Sequence, residues 1–322
     1  MRILVTGGAG FIGSHLCESL IQKQHDVFVL DDLSTGRFEN IEHLKEITCV
    51  IDSTLNQDVV RDLVKEVDVV YHLAATVGVQ LVVNQPIRTI VNNIRGTETI
   101  LEETCRYRRR LLITSTSEVY GKGARAVFHE DDDRVNGATH LHRWCYAASK
   151  EIDEFLALAY WREKRHPVVL VRLFNTVGPR QTGRYGMVIP TFARQALLGE
   201  DLTVYGDGKQ TRCFAAVQDV VPAMVKLMES ESICGEVFNI GNNEAVSMED
   251  LAQRIIERTG SSSSIRYVPY DQAYGPGYED MRHREPCLNK IHAAIGYRPA
   301  VSLNEILDAV IADTRRRLHQ DV

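Results

Sequence analysis

Tyr146 and Lys150 stand four residues apart in Tyr146-Ala147-Ala148-Ser149-Lys150. On a helix that spacing puts both side chains on one face. An ammonium beside a phenol stabilises the phenolate and lowers its pKa. Such a phenolate can take the proton of a sugar hydroxyl while hydride leaves the same carbon. A second group of polar side chains lies upstream, in Thr114-Ser115-Thr116-Ser117-Glu118-Val119-Tyr120-Gly121, after an apolar run. A Thr116 hydroxyl at the carboxyl end of a parallel strand can hydrogen-bond the same substrate oxygen, because doubly wound folds bind ligands there.

A third motif is Gly7-Gly8-Ala9-Gly10-Phe11-Ile12-Gly13, between a strand pattern and a helix pattern. Gly7, Gly10 and Gly13 allow the backbone to approach a pyrophosphate, and the N-terminus of the following helix faces the anion. Phe11 and Ile12 belong to the same expected contact. The next strand ends in Asp31-Asp32, eighteen residues past Gly13. A carboxylate there accepts from ribose hydroxyls and repels a 2′-phosphate, which favours NAD over NADP. Asp52 closes a third strand pattern and is placed to meet an adenine ring or to be a solvated strand end. Ala74 and Ala75 are small where the chain could pass against the cofactor.

These groups need a scaffold, and the hydrophobic rhythm describes one. Strand patterns fall at 2–6, 26–30, 47–51, 67–72, 111–115 and 168–173. Helical patterns fall between them at 12–22, 57–65, 86–107 and 146–164. The alternation predicts βαβ units and a Rossmann-type, doubly wound parallel sheet, with strands apolar on both faces. After residue 174 the rhythm changes. The expected division is a cofactor domain over 1–174 and a smaller α/β substrate-binding region over 175–322, some of whose strands rejoin the first sheet. A helix is expected near 191–198, strands at 202–205 and 237–240, and a helix over 247–259 opened by Ser247 with Asp250 three residues on.

Composition excludes other classes. The chain has 322 residues, 44% of them hydrophobic and 25% charged, with a net charge of −6. That is ordinary for a globular protein and disfavours a general nucleic-acid binder. No apolar stretch reaches the ~20 residues a membrane helix needs, and no signal peptide is read at the N-terminus. Seven cysteines without a C-x-x-C pair fit a reducing cytoplasm. His140 and His142 form an H-x-H without further ligands at metal spacing, so no metal is expected.

Taken together, the motifs resemble those of extended short-chain dehydrogenases/reductases of the nucleotide-sugar epimerase/dehydratase family. The residues that carry the likeness are Gly7, Gly10, Gly13, Asp31-Asp32, Tyr71-His72-Leu73-Ala74-Ala75, Asn93-x-x-Gly96-Thr97, Thr116, Tyr146, Lys150 and Asn175-x-x-Gly178-Pro179-Arg180. The resemblance implies NAD, a UDP-sugar and oxidation at C4, with Tyr146 as base, Lys150 tuning it and Thr116 binding the 4-oxygen. It also implies a homodimer built from the helices that contain Asn93 and Tyr146.

Two segments are similar to UDP-glucuronate decarboxylases, Arg212-Cys213-Phe214 and Tyr274-Gly275-Pro276-Gly277-Tyr278-Glu279-Asp280 with His283-Arg284, the second also resembling UDP-apiose/xylose synthases; Thr116-Ser117-Glu118 lacks the Asp of dTDP-glucose 4,6-dehydratases, is shared with GDP-mannose 4,6-dehydratases, and carries a Glu that simple 4-epimerases usually lack. Arg143-Trp144 also matches the decarboxylases. By that resemblance Ser117 and Glu118 lie beside C5 and the carboxylate, and Arg212 near the sugar or pyrophosphate. Asn175, Arg184, Tyr205, Arg212 and Arg284 are the expected substrate contacts. The loop 181–190 departs from the xylose-forming pattern. The alternatives are a UDP-sugar 4-epimerase, a 4,6-dehydratase and a non-catalytic NAD-binding regulator.

Overall fold

The computed structural model describes residues 1–123, 125–183, 186–274 and 281–320. Seven apolar runs join in one sheet. In chain order they are β1 (Arg2–Thr6), β2 (Asp26–Asp31), β3 (Ile47–Ile51), β4 (Val69–His72), β5 (Arg110–Thr116), β6 (Val168–Leu173) and β7 (Val237–Ile240). Their order across the sheet is β7-β6-β5-β4-β1-β2-β3 and every neighbouring pair is parallel. Parallel neighbours need crossover connections. Helices α1 (Phe11–Gln22), α2 (Gln57–Glu66), α3 (Pro86–Arg106) and α4 (Trp144–Lys164) lie in these connections.

The strands are apolar throughout because helices cover both sheet faces. Ile3 and Val5 of β1 join one buried cluster with Leu16, Leu20 and Val29. Leu4, between them, joins the opposite cluster with Val60, Val64, Ile100 and Ala157. The chain moves outward from β1 to β3 on one side, then returns to β4 on the other. The carboxyl ends of β1 and β4 therefore border a crevice, the usual ligand position in such sheets.

The C-terminal region adds α5 (Val188–Leu197), α6 (Val217–Glu229), α7 (Met248–Thr259) and α8 (Leu303–Gln320). The α6 side chains Val217, Val220 and Met224 join the core of the main sheet. The others form a separate core, where Ile189 and Phe192 of α5 meet Leu251 and Ile255 of α7 and Ile306 and Leu307 of α8. Ser247 caps α7 by accepting the Asp250 N–H at 3.0 Å. Strand β7, from this half of the chain, closes one edge of the sheet beside β6.

The structure differs from the sequence reading at several elements, among them α6 (Val217–Glu229), which that reading does not assign, and α5, which starts at Val188 rather than 191. Helix α4 starts at Trp144 rather than Tyr146, so Tyr146 sits inside its first turn. The sequence reading assigns no element beyond 259, where Ile265–Val268 pairs with Leu202–Tyr205 and α8 forms. The buried stripe of α8 (Leu303, Ile306, Leu307, Val310) has helical spacing and carries that signal.

Helix α4 is tied to the sheet by charge. Glu154 accepts from Arg172 of β6 at 2.9 and 2.8 Å, and both side chains are almost fully buried. Arg172 also donates to the Tyr120 hydroxyl at 2.8 Å. Removing one partner of a buried pair strands the other charge and typically costs about 3–5 kcal/mol. Glu154→Ala is expected to lower unfolding free energy by about that amount, read as a fall in the urea midpoint with an unchanged slope.

Candidate active site

One cleft of about 590 Å³ crosses the carboxyl edge of the sheet. At one end is the glycine turn. Gly7 has φ +72° and donates its N–H to Leu30 at 2.8 Å. A Cβ on Gly13 would lie 2.1 Å from the Gly7 carbonyl, so no larger residue fits. Helix α1 begins directly after this turn, with Gly10 as N-cap and no side chain capping it. The positive end of α1 is thus presented to the cleft, which suits a phosphate.

Asp31 locks the turn in place. Its two oxygens accept the N–H groups of Ala9 and Leu33, each at 2.9 Å. Burial raises its pKa, and those amides oppose the rise. Each carboxylate oxygen retains a second acceptor site for a ribose hydroxyl. Asp32 is exposed and accepts the Ser34 N–H at 2.9 Å. Asp52 is engaged by Ser53 N at 2.7 Å and the Asn56 amide at 3.0 Å. Gly7, Gly10, Phe11, Ile12, Gly13, Asp31, Asp32, Asp52, Ala74 and Ala75 all line this cleft. The uncapped helix end, the glycine cradle and the acid at the tip of β2 fit a dinucleotide whose adenosine ribose carries free hydroxyls.

Further along the same cleft lie Thr116, Ser117, Glu118, Tyr146, Lys150, Asn175, Tyr205, Arg212 and Arg284. Thr116 ends β5, and its hydroxyl accepts the Glu118 N–H at 3.2 Å, opening the 3-10 turn Ser117–Tyr120. Glu118 is held by two guanidinium groups. Arg143 donates to one oxygen at 3.0 Å and Arg284 to the other. Burial alone would raise the Glu118 pKa, but Arg143, Arg284 and Arg212 together bring it down to about 2. Arg284 also donates to Asn175, whose amide in turn donates to the Cys213 carbonyl at 2.9 Å. Arg212 is buried at the cleft wall, on the strand Thr211–Cys213. Cys213 is buried and does not line the cleft. Arg184 and the segment 275–280 lie outside the described residues.

Tyr146 has a raised pKa, chiefly from burial and next from the charge of Glu118, while a hydrogen bond with Thr116 works against the rise. The Lys150 ammonium is turned to Asp153, 2.7 Å away, and a buried ammonium requires such a counter-charge. Asp153 itself adds to the rise at Tyr146. On the far side of this pair, His72 is buried between the hydroxyls of Thr6 (2.7 Å) and Thr97 (3.2 Å). Burial, helped by the Lys150 charge, brings its pKa down to about 3, so the ring is neutral.

Sequence reasoning missed the roles of Arg143 and Asp153. Arg143 stands three residues before Tyr146 and Asp153 three after Lys150, so helical spacing was the available signal. Among the described residues no group of three His, Cys, Asp or Glu side chains is placed to hold a metal, and His140 and His142 are exposed.

Comparison with known proteins gives a consistent picture. Residues 3–241 match the NAD dependent epimerase/dehydratase family. The chain is 43% identical over 312 residues to the UDP-N-acetyl-alpha-D-glucosaminuronate decarboxylase of Bacillus cytotoxicus, covering 96% of each. It is 38% identical over 324 residues to UDP-glucuronic acid decarboxylase 1 of Xenopus tropicalis, covering 99% of this chain and 73% of that one. Among solved structures it resembles the UDP-glucuronic acid 4-epimerase of Bacillus cereus, in complex with UDP-glucuronic acid and NAD. That match has a TM-score of 0.88 and 31% identity, over 98% of this chain and 100% of the other.

A carboxylate with a depressed pKa stabilises the fold above its unfolded value and loses that contribution as pH falls through the folded value. For Glu118 the window runs from about 4.5 down to about 2. Glu118→Gln is expected to be less stable than the parent at pH 7, by roughly 1–3 kcal/mol. The gap should shrink steadily below pH 4.5, as measured by denaturant unfolding at several pH values.

Proposed function

The chain belongs to the NAD-dependent epimerase/dehydratase family, and we propose that its reaction is decarboxylation of a UDP-linked hexuronate, UDP-glucuronate foremost. The product is UDP-xylose or the UDP-4-keto-pentose. The observation that carries this reading is the pair of guanidinium groups, Arg143 and Arg284, on Glu118, with Arg212 lining the same cleft as Tyr146. Guanidinium groups suit a carboxylate or a diphosphate. The decarboxylases at 43% and 38% identity support it. The first of these favours a second substrate, UDP-N-acetylglucosaminuronate, which differs at C2 and presents the same C4 hydroxyl and C6 carboxylate.

The glycine turn, the α1 N-terminus and Asp31 hold NAD, which when bound supplies the hydride acceptor that makes C4 a ketone. Tyr146 accepts the proton of the C4 hydroxyl, and Thr116 orients that oxygen. A C4 ketone is β to the C6 carboxylate, so the electron pair released with CO2 passes to O4 as an enolate. The arginines, only partly neutralised by Glu118, favour that charge, and donors aimed at developing charge are an effective form of catalysis. Residues 1–174 serve mainly the cofactor. Residues 175–322 serve mainly the sugar nucleotide, with Tyr205 among its contacts.

The protein acts as a homodimer in the cytoplasm. Ile87 (79% exposed) on α3 and Phe155 (60%) on α4 are apolar and open, and the two helices pack side by side. Seven free cysteines, three of them buried, suit a reducing compartment. No helix is long and apolar enough to cross a membrane among the described residues.

Incubation with UDP-glucuronate or UDP-N-acetylglucosaminuronate is expected to release CO2 and yield the UDP-pentose. An intact uronate inverted only at C4 would make the protein an epimerase. Tyr146→Phe is expected to lose about 10²–10⁴-fold in kcat, since it removes the acid–base group. Light scattering is expected to show a dimer that Ile87→Glu with Phe155→Glu converts to monomer.

A further inference from the structure

Lys150 and Asp153 form an ion pair with side chains only 2% and 1% exposed. The pair spans one turn of α4, and its 2.7 Å contact runs from Nζ to Oδ2. Burying two charges is expensive, and such a pair is a poor source of net stability. Its geometry has a clearer consequence. An ammonium has three donors, and anchoring one restricts where the other two point. Lys150 lines the cleft; Asp153 does not. Asp153 therefore acts on the site through Lys150.

We propose that Asp153 is a positioning residue that holds the Lys150 ammonium in one orientation and sets how much of its positive charge reaches the Tyr146 phenol. The proposal rests on the reading of Tyr146 as the proton acceptor. The groups that face this trio come from several elements. Glu118, in the 3-10 turn after β5, adds negative charge at the phenol, and Arg284 opposes it. His72 of β4 faces Lys150 and is neutral. Burial raises the Asp153 pKa and Glu154, next on α4, adds to the rise, while Lys150 and Thr97 oppose it. With Asp153 charged, ammonium and carboxylate largely cancel at the phenol. Without that carboxylate the ammonium acts alone, and the phenol gives up its proton at lower pH.

The test uses the full chain with NAD bound. Nitrogen-15 NMR of the lysine ammonium groups reads the positioning directly. One slowly exchanging ammonium resonance is expected in the parent protein, absent from Lys150→Arg and lost from Asp153→Asn. A parent spectrum without such a resonance, or an Asp153→Asn spectrum that keeps it, overturns the proposal.

The second readout is the pH dependence of NADH appearance in a single turnover with a UDP-hexuronate. On the limb where rate rises with pH, Asp153→Asn is expected to move the curve toward acid by roughly one unit, and Asp153→Glu to restore it. A uniform loss of rate with the limb unmoved marks a merely structural residue and overturns the proposal. If the parent protein turns over no UDP-hexuronate, the reading of the reaction falls, and the ammonium resonance still decides the role of Asp153. Should Asp153→Asn not fold, the parent spectrum alone tests whether the ammonium is held.

Discussion

Charge buried along one helix has to be paired, and that requirement organises this molecule. The start of α4 and the residue before it present Arg143, Tyr146, Lys150, Asp153 and Glu154 within about three turns. Each charged member meets a partner fixed by a different part of the chain or by the helix itself. Arg143 reaches Glu118 after β5, Lys150 reaches Asp153, and Glu154 reaches Arg172 on β6. None of these contacts is cheap in a low-dielectric interior, and their net stabilisation is small. Their effect is geometric: they fix the rotation and depth of α4, and so place the Tyr146 phenol against Thr116.

The same pairing explains the electrostatics of the cleft. Glu118 stays ionised because three arginines outweigh its burial. Tyr146 stays protonated in this protein environment because burial and two carboxylates outweigh the groups that would ionise it. A base of this kind needs added positive charge to work, and Lys150 is the protein's own source. The arginines beside Glu118 meanwhile give a substrate carboxylate and a developing enolate a region of positive potential. Binding and chemistry in the proposed decarboxylation thus draw on one cluster.

Much of this was legible in the residues. The glycine turn, the acid at the tip of β2 and the Tyr–Lys spacing are local signals, each tied to one element, and the structure brings them to one cleft. β1, β3 and β6 have the bounds read from the sequence because apolar runs flanked by turns leave little freedom. The pairing of Glu118 with Arg284 was not legible, since 166 residues separate them and only tertiary packing makes them meet. Arg143 and Asp153 had readable spacing, but spacing alone does not say that a helix face is buried. Lys150 shows the same limit: its i,i+4 spacing to Tyr146 is readable in the sequence, while its 2.7 Å contact with Asp153 follows from burial of the helix face.

The most direct measurement is a crystal structure of the Tyr146→Phe protein with NAD and UDP-glucuronate. The sugar's C4 oxygen is expected within hydrogen-bond reach of the Thr116 hydroxyl, with its carboxylate turned toward Glu118, Arg143 and Arg284. A sugar whose carboxylate pointed to solvent, or whose C4 lay away from Thr116, would contradict it.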